Sequence, residues 1–333
     1  MTDPLAFLDW RSLGAAAPWL LAVVFLAASA LMIWRLEILS GKGFEGTVLG
    51  TLIMPYCSGV GNLVFAWVMG RSQDASGEVF ENCLVNNVTN LTLLLGLPTV
   101  IWGAVLFGKK KKLAKKAARD AEINRLSLLL TLLAGLFFTG IVWALARDGR
   151  LDFGDGVVLV AVFLFWQCFH VFEVLKSNVR QNQSLPWSIY PELAILVVGA
   201  IAVYWSINAL VEWIGAGEGT WINREHLGWL SAWLMVLPNA LLAMFYGWRG
   251  RAEVVYASQV GDGHICIPLC LGIYAMLTPA AVPPIFLLSI RVLVLALAAH
   301  VVLVALFGRP PRLVGWLFLA GYGIYLWKGL PAG

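Results

Sequence analysis

Polar side chains recur at four-residue intervals inside two long apolar stretches of the chain. Residues four apart lie on one face of a helix, so each set predicts a polar stripe. The first stripe consists of amides, whereas the second includes a carboxyl group. Together they predict a binding site for an ion or small solute near the middle of a membrane. The positions are Asn82, Asn86 and Asn90, with Asn87 beside them, and then Ser258, Asp262 and Cys266.

Asp262 is the strongest single candidate, because an ionisable residue within a membrane span is costly and by default functional. It could bind a proton or exchange that proton for a monovalent cation. Alternatively, Asp262 could form a structural ion pair with Arg291, which would favour an anionic or zwitterionic substrate. His264 is either a hydrogen-bonded packing residue or part of a proton relay. We therefore assign gating or proton coupling to His264 and Arg291 as an open alternative.

Two prolines lie within apolar stretches, and a polar side chain follows each at once. Pro55 precedes Tyr56, and Pro238 precedes Asn239. A proline inside a helix removes a backbone N–H, and the freed carbonyl must be satisfied by protein, water or a ligand. We predict helix breaks at both prolines, with Tyr56 and Asn239 at the binding site.

Other polar groups close to the stripes allow more than one role. Glu78 and Glu81 would either attract cations or cap the start of their helix. The amides of the first stripe could instead only join helices, at roughly 0.6 kcal/mol for each hydrogen bond. Cys266 and Cys270 mostly resemble small apolar residues, although a soft metal or chalcogen substrate is an alternative. No metal site is assigned from this pattern.

The composition determines the kind of element that must carry these stripes. Of 333 residues, 60% are hydrophobic and 13% are charged, and Lys+Arg (23) nearly balance Asp+Glu (19). Such a chain is a polytopic, all-α membrane protein and not a nucleic-acid-binding one. Spans of about 20 apolar residues are needed to cross a bilayer. We place ten, near 16–35, 47–70, 79–107, 126–146, 155–175, 191–214, 227–248, 254–277, 283–307 and 312–328.

Loop charge orients these spans in the membrane. The loop 108–125 is rich in lysine and is expected on the cytoplasmic side, which places both termini outside. Ten spans then divide into two five-helix repeats of opposite orientation, residues 1–180 and 181–333, as in inverted-repeat transporters. A bacterial-type inner or plasma membrane is the expected location.

At this point the chain resembles the cation/calcium exchanger superfamily, the sodium/calcium-exchanger-like membrane proteins. The family repeat reads approximately G-T-S-L-P-E, then G-N-x-x-G-S-N-x-x-N with a glycine six residues on. The resemblance implies the same ten-helix fold with two inverted repeats. The residues that match the repeat are Pro55, Asn82, Asn87, Asn90 and Gly96 in the first half, and Pro238, Gly261 and Gly272 in the second.

The departures from the family repeat bear on the substrate. The two ion-binding glutamates of the family would fall on Tyr56 and Asn239, and neither is a carboxylate. Asp262 takes a serine position of the repeat. Calcium prefers six to eight oxygen ligands with carboxylates among them, so high-affinity calcium exchange is not expected.

The predicted function is therefore secondary cation antiport, of a monovalent cation or calcium against sodium or protons. Alternatives are transport of an anionic or other small solute, or a transport-inactive scaffold or sensor. An intramembrane enzyme is least favoured, because no catalytic motif such as G-x-S-x-G or H-E-x-x-H occurs. The sequence predicts no cofactor apart from a transported sodium, calcium or proton. The expected partners are the lipid bilayer and a small ion or solute, with no nucleic acid and no inferable protein partner.

Overall fold

The computed structural model describes residues 14–41, 54–72, 77–103, 106, 115–181, 187, 189–216, 222–308 and 310–330. Two predicted features lie partly outside these ranges: residues 108–114 of the basic loop 108–125, and residues 47–53 of the predicted second span. The described chain is almost entirely helical. A single pair of two-residue antiparallel strands, β1 (Arg150–Leu151) and β2 (Ala280–Ala281), accompanies the helices within the described residues.

The described helices follow the apolar stretches of the sequence. In chain order the helices are α1 (Ala17–Gly41), α2 (Met54–Arg71), α3 (Glu78–Ile101), α4 (Lys115–Leu145), α5 (Phe153–Gln181), α6 (Ile189–Gly215), α7 (Leu227–Trp248), α8 (Ala252–Leu277), α9 (Phe286–Leu306) and α10 (Arg312–Gly329). Seven of these described helices are long and apolar enough to cross a membrane, namely α1, α3, α4, α6, α7, α8 and α9.

Helices α3 and α8 form the centre of the bundle, and most of their residues are buried. Helix α3 packs against α7 and α10, while α8 packs against α2 and α5. Helix α4 packs against α9, and α1 pairs with α6. The apolar side chains exposed on the outer helices match a lipid-facing surface, whereas the polar stripes lie inside the protein.

Both central helices are interrupted by a π-helical segment. In α3 the segment is Asn90–Leu94, and in α8 it is Ile265–Cys270. A π segment inserts extra backbone into a helix and often occurs at functional sites. Each segment contains a member of its helix's polar stripe, Asn90 in α3 and Cys266 in α8, so both stripes run into irregular backbone.

The predicted helix break at Pro238 is wrong, because α7 runs through this residue without interruption. Membrane helices tolerate proline where neighbouring groups satisfy the freed carbonyl, and α7 is packed on several sides. Pro55 lies in the first turn of α2. The N–H groups of the first turn have no acceptor within the helix, so the missing N–H of a proline loses no hydrogen bond there. The residues that precede Met54 are outside the described part, so a break there stays a prediction.

Two helix crossings bring backbones into direct contact through paired glycines. A Cβ atom added to Gly156 in α5 would lie 2.6 Å from the carbonyl oxygen of Gly272 in α8. A Cβ added to Gly315 in α10 would lie 2.9 Å from the carbonyl oxygen of Gly96 in α3. Small residues allow membrane helices to approach this closely. These crossings hold the two central helices against α5 and α10.

Candidate functional site

Three helices meet at a continuous chain of hydrogen bonds centred on Asp262. The side-chain nitrogen of Asn90 donates to Asp262 Oδ2 at 2.7 Å and to Asn86 Oδ1 at 2.8 Å. The nitrogen of Asn86 donates in turn to Asn62 Oδ1 of α2 at 2.8 Å. All four side chains are fully buried. The two polar stripes thus meet directly at Asn90 and Asp262, and Asn86 is one hydrogen bond further away.

The direction of these hydrogen bonds orients the amides toward the carboxyl group. Asn90 presents its N–H groups to Asp262, which leaves its own oxygen, Asn90 Oδ1, without a partner among the described residues. Asp262 Oδ1 likewise has no hydrogen-bond partner in the described part of the chain. This oxygen lies against Gly59 of α2, where an added Cβ would come within 3.0 Å. One carboxyl oxygen is therefore held by Asn90, and the other is the candidate ligand atom for an ion.

The opposite side of the carboxyl group is provided by α7 and α8. The side chain of Asn239 faces Asp262. Neither polar atom of this amide comes within normal hydrogen-bond distance of a described group, although the amide is close enough to interact with the Asp262 carboxyl group. Gln259 donates to the backbone oxygen of Asn239 at 3.2 Å. Cys266 lies on the remaining side, with its sulfur 3.8 Å from Asp262 Oδ2.

Several buried oxygen atoms around this centre have no hydrogen-bond partner in the described ranges. Leaving a buried polar atom unsatisfied costs about 1–3 kcal/mol, and native proteins contain few of them. A cation bound by the oxygens would remove this cost, because carboxyl and amide oxygens are ligands for hard cations. The atoms are Asn90 Oδ1, Asn239 Oδ1, Gln259 Oε1 and Asp262 Oδ1.

Some of the predicted site residues lie apart from the hydrogen-bonded centre. Asn82 donates to Ser231 of α7 at 2.9 Å. It lies about two turns of α3 before Asn90, the residue that contacts Asp262. Asn87 donates to the carbonyl of Cys83 in its own helix. Ser258 donates to the carbonyl of Val255. The side chain of Tyr56 lies outside the described residues, so its place at the site stays a prediction.

The residues predicted for gating are also separate from the carboxyl group. His264 shares a hydrogen bond with the Thr131 carbonyl of α4 at 2.9 Å and packs edge-on against Phe138 and Trp166. Arg291 is exposed, whereas Asp262 is fully buried. The ion pairs Arg35–Glu192 and Arg251–Glu253 do not involve Asp262. The geometry therefore gives no support to neutralisation of Asp262 by Arg291.

Sequence reasoning missed Asn62 and Gln259. Asn62 carries the only amide, hydroxyl or charged group between Ser58 and Arg71, and that isolation in an apolar helix was an available signal. Gln259 is adjacent to Ser258 but on a different face of α8, so a four-residue spacing did not include it. Its importance depends on how α7 packs against α8.

The donor set indicates the kind of ion that fits. Among the described residues, no group of three or more His, Cys, Asp and Glu side chains is arranged to hold a metal ion. The centre instead offers one carboxyl group and several amide oxygens. Such a set suits a weakly held hard cation better than a transition metal, which prefers imidazole or thiolate ligands.

Asn90 and Asn87 provide a matched test, since both are asparagines on the same helix. We expect Asn90→Ala to weaken cation binding by roughly 10- to 100-fold, the range seen when an orienting partner of an ion ligand is lost. Asn87→Ala should change it less than about threefold, because its amide bonds to its own helix. Cation-dependent thermal stabilisation of the purified variants measures both. Equal weakening by the two variants would contradict the assignment of Asn90.

Comparison with known proteins identifies the class to which this fold and site belong. The family model described as sodium/calcium exchanger protein matches residues 16–172 and 192–328. The chain belongs to this family. It is accordingly an integral, multi-pass membrane transporter and not an enzyme. Among curated proteins, none matches the chain significantly.

Solved structures of the sodium–calcium exchanger NCX_Mj share the fold. The form soaked with 10 mM Na⁺ and 10 mM Sr²⁺ superposes with a TM-score of 0.67 at 18% identity, covering 95% of this chain and 98% of that one. The form soaked with zero Na⁺ and Ca²⁺ gives a TM-score of 0.63 at 18% identity, covering 93% and 96%. At this identity the similarity establishes the fold alone.

Proposed function

We propose that this protein is a secondary active transporter that exchanges cations by alternating access, with Asp262 as the charged ligand. The observation that carries the proposal is the buried carboxyl group whose Oδ1 has no hydrogen-bond partner among the described residues. Amide oxygens with the same property surround it. Family membership supports cation transport as the activity. Helices α2, α3, α7 and α8 would enclose the ion.

The transported ion is a monovalent cation, exchanged against sodium or protons. Asp262 supplies a single negative charge, and no positively charged described side chain pairs with it. One monovalent cation or one proton therefore neutralises the centre. Calcium would leave an uncompensated charge in a low-dielectric interior, which is costly. An anionic substrate is less well supported, because Asp262 would repel an anion and Arg291 is exposed rather than beside the site.

Ten membrane crossings in two inverted repeats, residues 1–180 and 181–333, would provide the two alternating states. Aligning Gly96 with Gly272 places the two π segments within one residue of each other. The glycine crossing of α3 with α10 then corresponds to that of α8 with α5. The same alignment makes α4 equivalent to α9 and α1 equivalent to α6. The contacts of α4 with α9 and of α1 with α6 therefore each join two equivalent helices. These correspondences support the repeat.

The orientation in the membrane follows from loop charge. We place both termini outside and the basic loop 108–125 in the cytoplasm, in a bacterial-type inner or plasma membrane. Helices α3 and α7 then begin at the outer surface, and α2 and α8 begin at the inner surface.

Flux measurements in proteoliposomes test the function. Sodium, potassium, calcium and proton gradients are imposed in turn, and internal pH and ion concentrations are read with dyes. We expect a monovalent gradient to drive counterflow of protons or sodium, and calcium to move far more slowly. Silence across the whole panel in folded protein would overturn cation exchange. Calcium flux equal to or faster than monovalent flux would overturn the monovalent assignment.

A further inference from the structure

One face of α3 carries a polar residue on each turn, from the start of the helix to the central carboxyl group. Glu78, Asn82, Asn86 and Asn90 follow each other at four-residue intervals, and all four are buried. Twelve residues of helix span about 18 Å. The face therefore reaches from the edge of the bundle to Asp262, and we call these four residues the α3 track.

Contacts across the α3 track alternate between structural hydrogen bonds and unsatisfied oxygens. Asn82 donates to Ser231 Oγ at 2.9 Å and approaches Met235 Sδ at 3.6 Å, both on α7. The Oδ1 atoms of Asn82 and Asn90 have no partner among the described residues. These oxygens lie two turns apart along the helix. A cation that moves along this face toward Asp262 would meet first the Asn82 oxygen and then the Asn90 oxygen.

Two carboxyl groups lie at the end of the track where α3 begins. Glu81 is partly exposed, and Glu78 is buried at the first residue of the helix, about one turn earlier. The Glu81 carboxyl group contacts Gly228 in the first turn of α7 and lies beside Trp229. Tyr325 of α10 is a titratable neighbour of Glu81 on another helix. No described cation is paired with Glu81.

The corresponding face of α8 is not built in this way. With Gly96 aligned to Gly272, the counterpart of Glu78 is Val254 and that of Asn82 is Ser258. The Ser258 hydroxyl donates to its own helix, at the Val255 carbonyl. The two approaches to the carboxyl group therefore differ in charge and in available oxygens.

We propose that the α3 track is the path by which cations reach Asp262 from one side of the membrane, with Glu78 and Glu81 as its entrance and Asn82 as an intermediate ligand. This inference rests on the proposed cation transport and adds a sidedness to it. Two carboxyl groups at the mouth raise the local cation concentration, and Asn82 Oδ1 replaces part of the hydration shell lower down. The apparent affinity for cations is therefore higher from the side on which α3 begins than from the opposite side.

The test is sided transport by proteoliposomes in which the protein is inserted in one orientation, verified by protease access to a C-terminal tag. The variants are Glu78→Gln, Glu81→Gln and Asn82→Leu. From the side on which α3 begins, Glu78→Gln and Glu81→Gln should each raise the half-saturating cation concentration by roughly tenfold, the lower end of electrostatic focusing. Asn82→Leu removes an oxygen ligand and should raise it by roughly tenfold as well. From the opposite side, the value should stay within about twofold of the wild type.

Glu253→Gln is the matched control, since this glutamate lies in the first turn of α8 and pairs with Arg251 in an exposed position. It should change neither value. No sided change in any α3 variant would overturn the track. Equal changes from both sides in variants of unaltered melting temperature would show a symmetric role and overturn it too. Failure of cation transport itself is separate, because the wild type would then show no flux from either side.

Discussion

Asp262→Asn is expected to reduce cation flux by at least about 100-fold while the protein stays folded. Losing a buried, paired charge costs about 3 kcal/mol or more of cation binding, and about 1.4 kcal/mol corresponds to a factor of ten. The asparagine keeps the shape and can still accept the Asn90 hydrogen bond. Initial rates in proteoliposomes, under the gradient that drives the wild type, measure the effect.

Asp148→Asn is the control for this substitution, because Asp148 is exposed at the end of α4 and accepts only a local backbone hydrogen bond. Its flux should match the wild type. Asp262→Glu keeps the charge but lengthens the side chain next to Gly59, so partial flux is expected. Full flux in folded Asp262→Asn would mean that another group binds the transported ion.

Gly156→Ala is expected to give the largest loss of stability of any single methyl addition in the bundle interior. The new Cβ would lie 2.6 Å from the Gly272 carbonyl oxygen and 2.8 Å from the Met276 backbone nitrogen. Backbone atoms cannot rotate aside, so α5 and α8 must separate. Overpacking costs about 1–3 kcal/mol in general, and this contact should reach the upper end or beyond. Melting temperature and the yield of monodisperse protein measure the loss.

Gly140→Ala makes the same chemical change in α4, where an added Cβ meets no atom within 4 Å. It should leave the melting temperature unchanged or raise it, since alanine is favoured over glycine in a helix by roughly 1 kcal/mol. Equal melting temperatures for the two variants would show that α5 and α8 do not cross as closely as described.

The sequence could predict the helices and the two polar stripes. Apolar stretches of membrane-spanning length determine the helices, and four-residue spacing placed Asn86, Asn90 and Asp262 on the two stripes. It did not predict that Asn90 is the residue that donates to Asp262, because this depends on the register between α3 and α8. The carboxyl group was identifiable because a charge in an apolar stretch is rare.

The remaining features depend on tertiary packing. The π segments beginning at Asn90 and Ile265 need partners for displaced backbone carbonyls, and His300 of α9 provides one at the Leu91 carbonyl, 2.9 Å away. No local pattern predicts such a partner. The same is true of Pro238, where surrounding helices keep α7 continuous. Asn62 becomes part of the site only because α2 packs beside α3 at that level.

One carboxyl group at the contact between α3 and α8, that of Asp262, is expected to hold one cation. Isothermal titration of purified wild type and Asp262→Asn with sodium, potassium and calcium measures this binding. We predict one monovalent ion bound per wild-type protein, with no measurable binding to Asp262→Asn and a similar melting transition in both without added cation. Unchanged affinity and stoichiometry in folded Asp262→Asn would contradict the account.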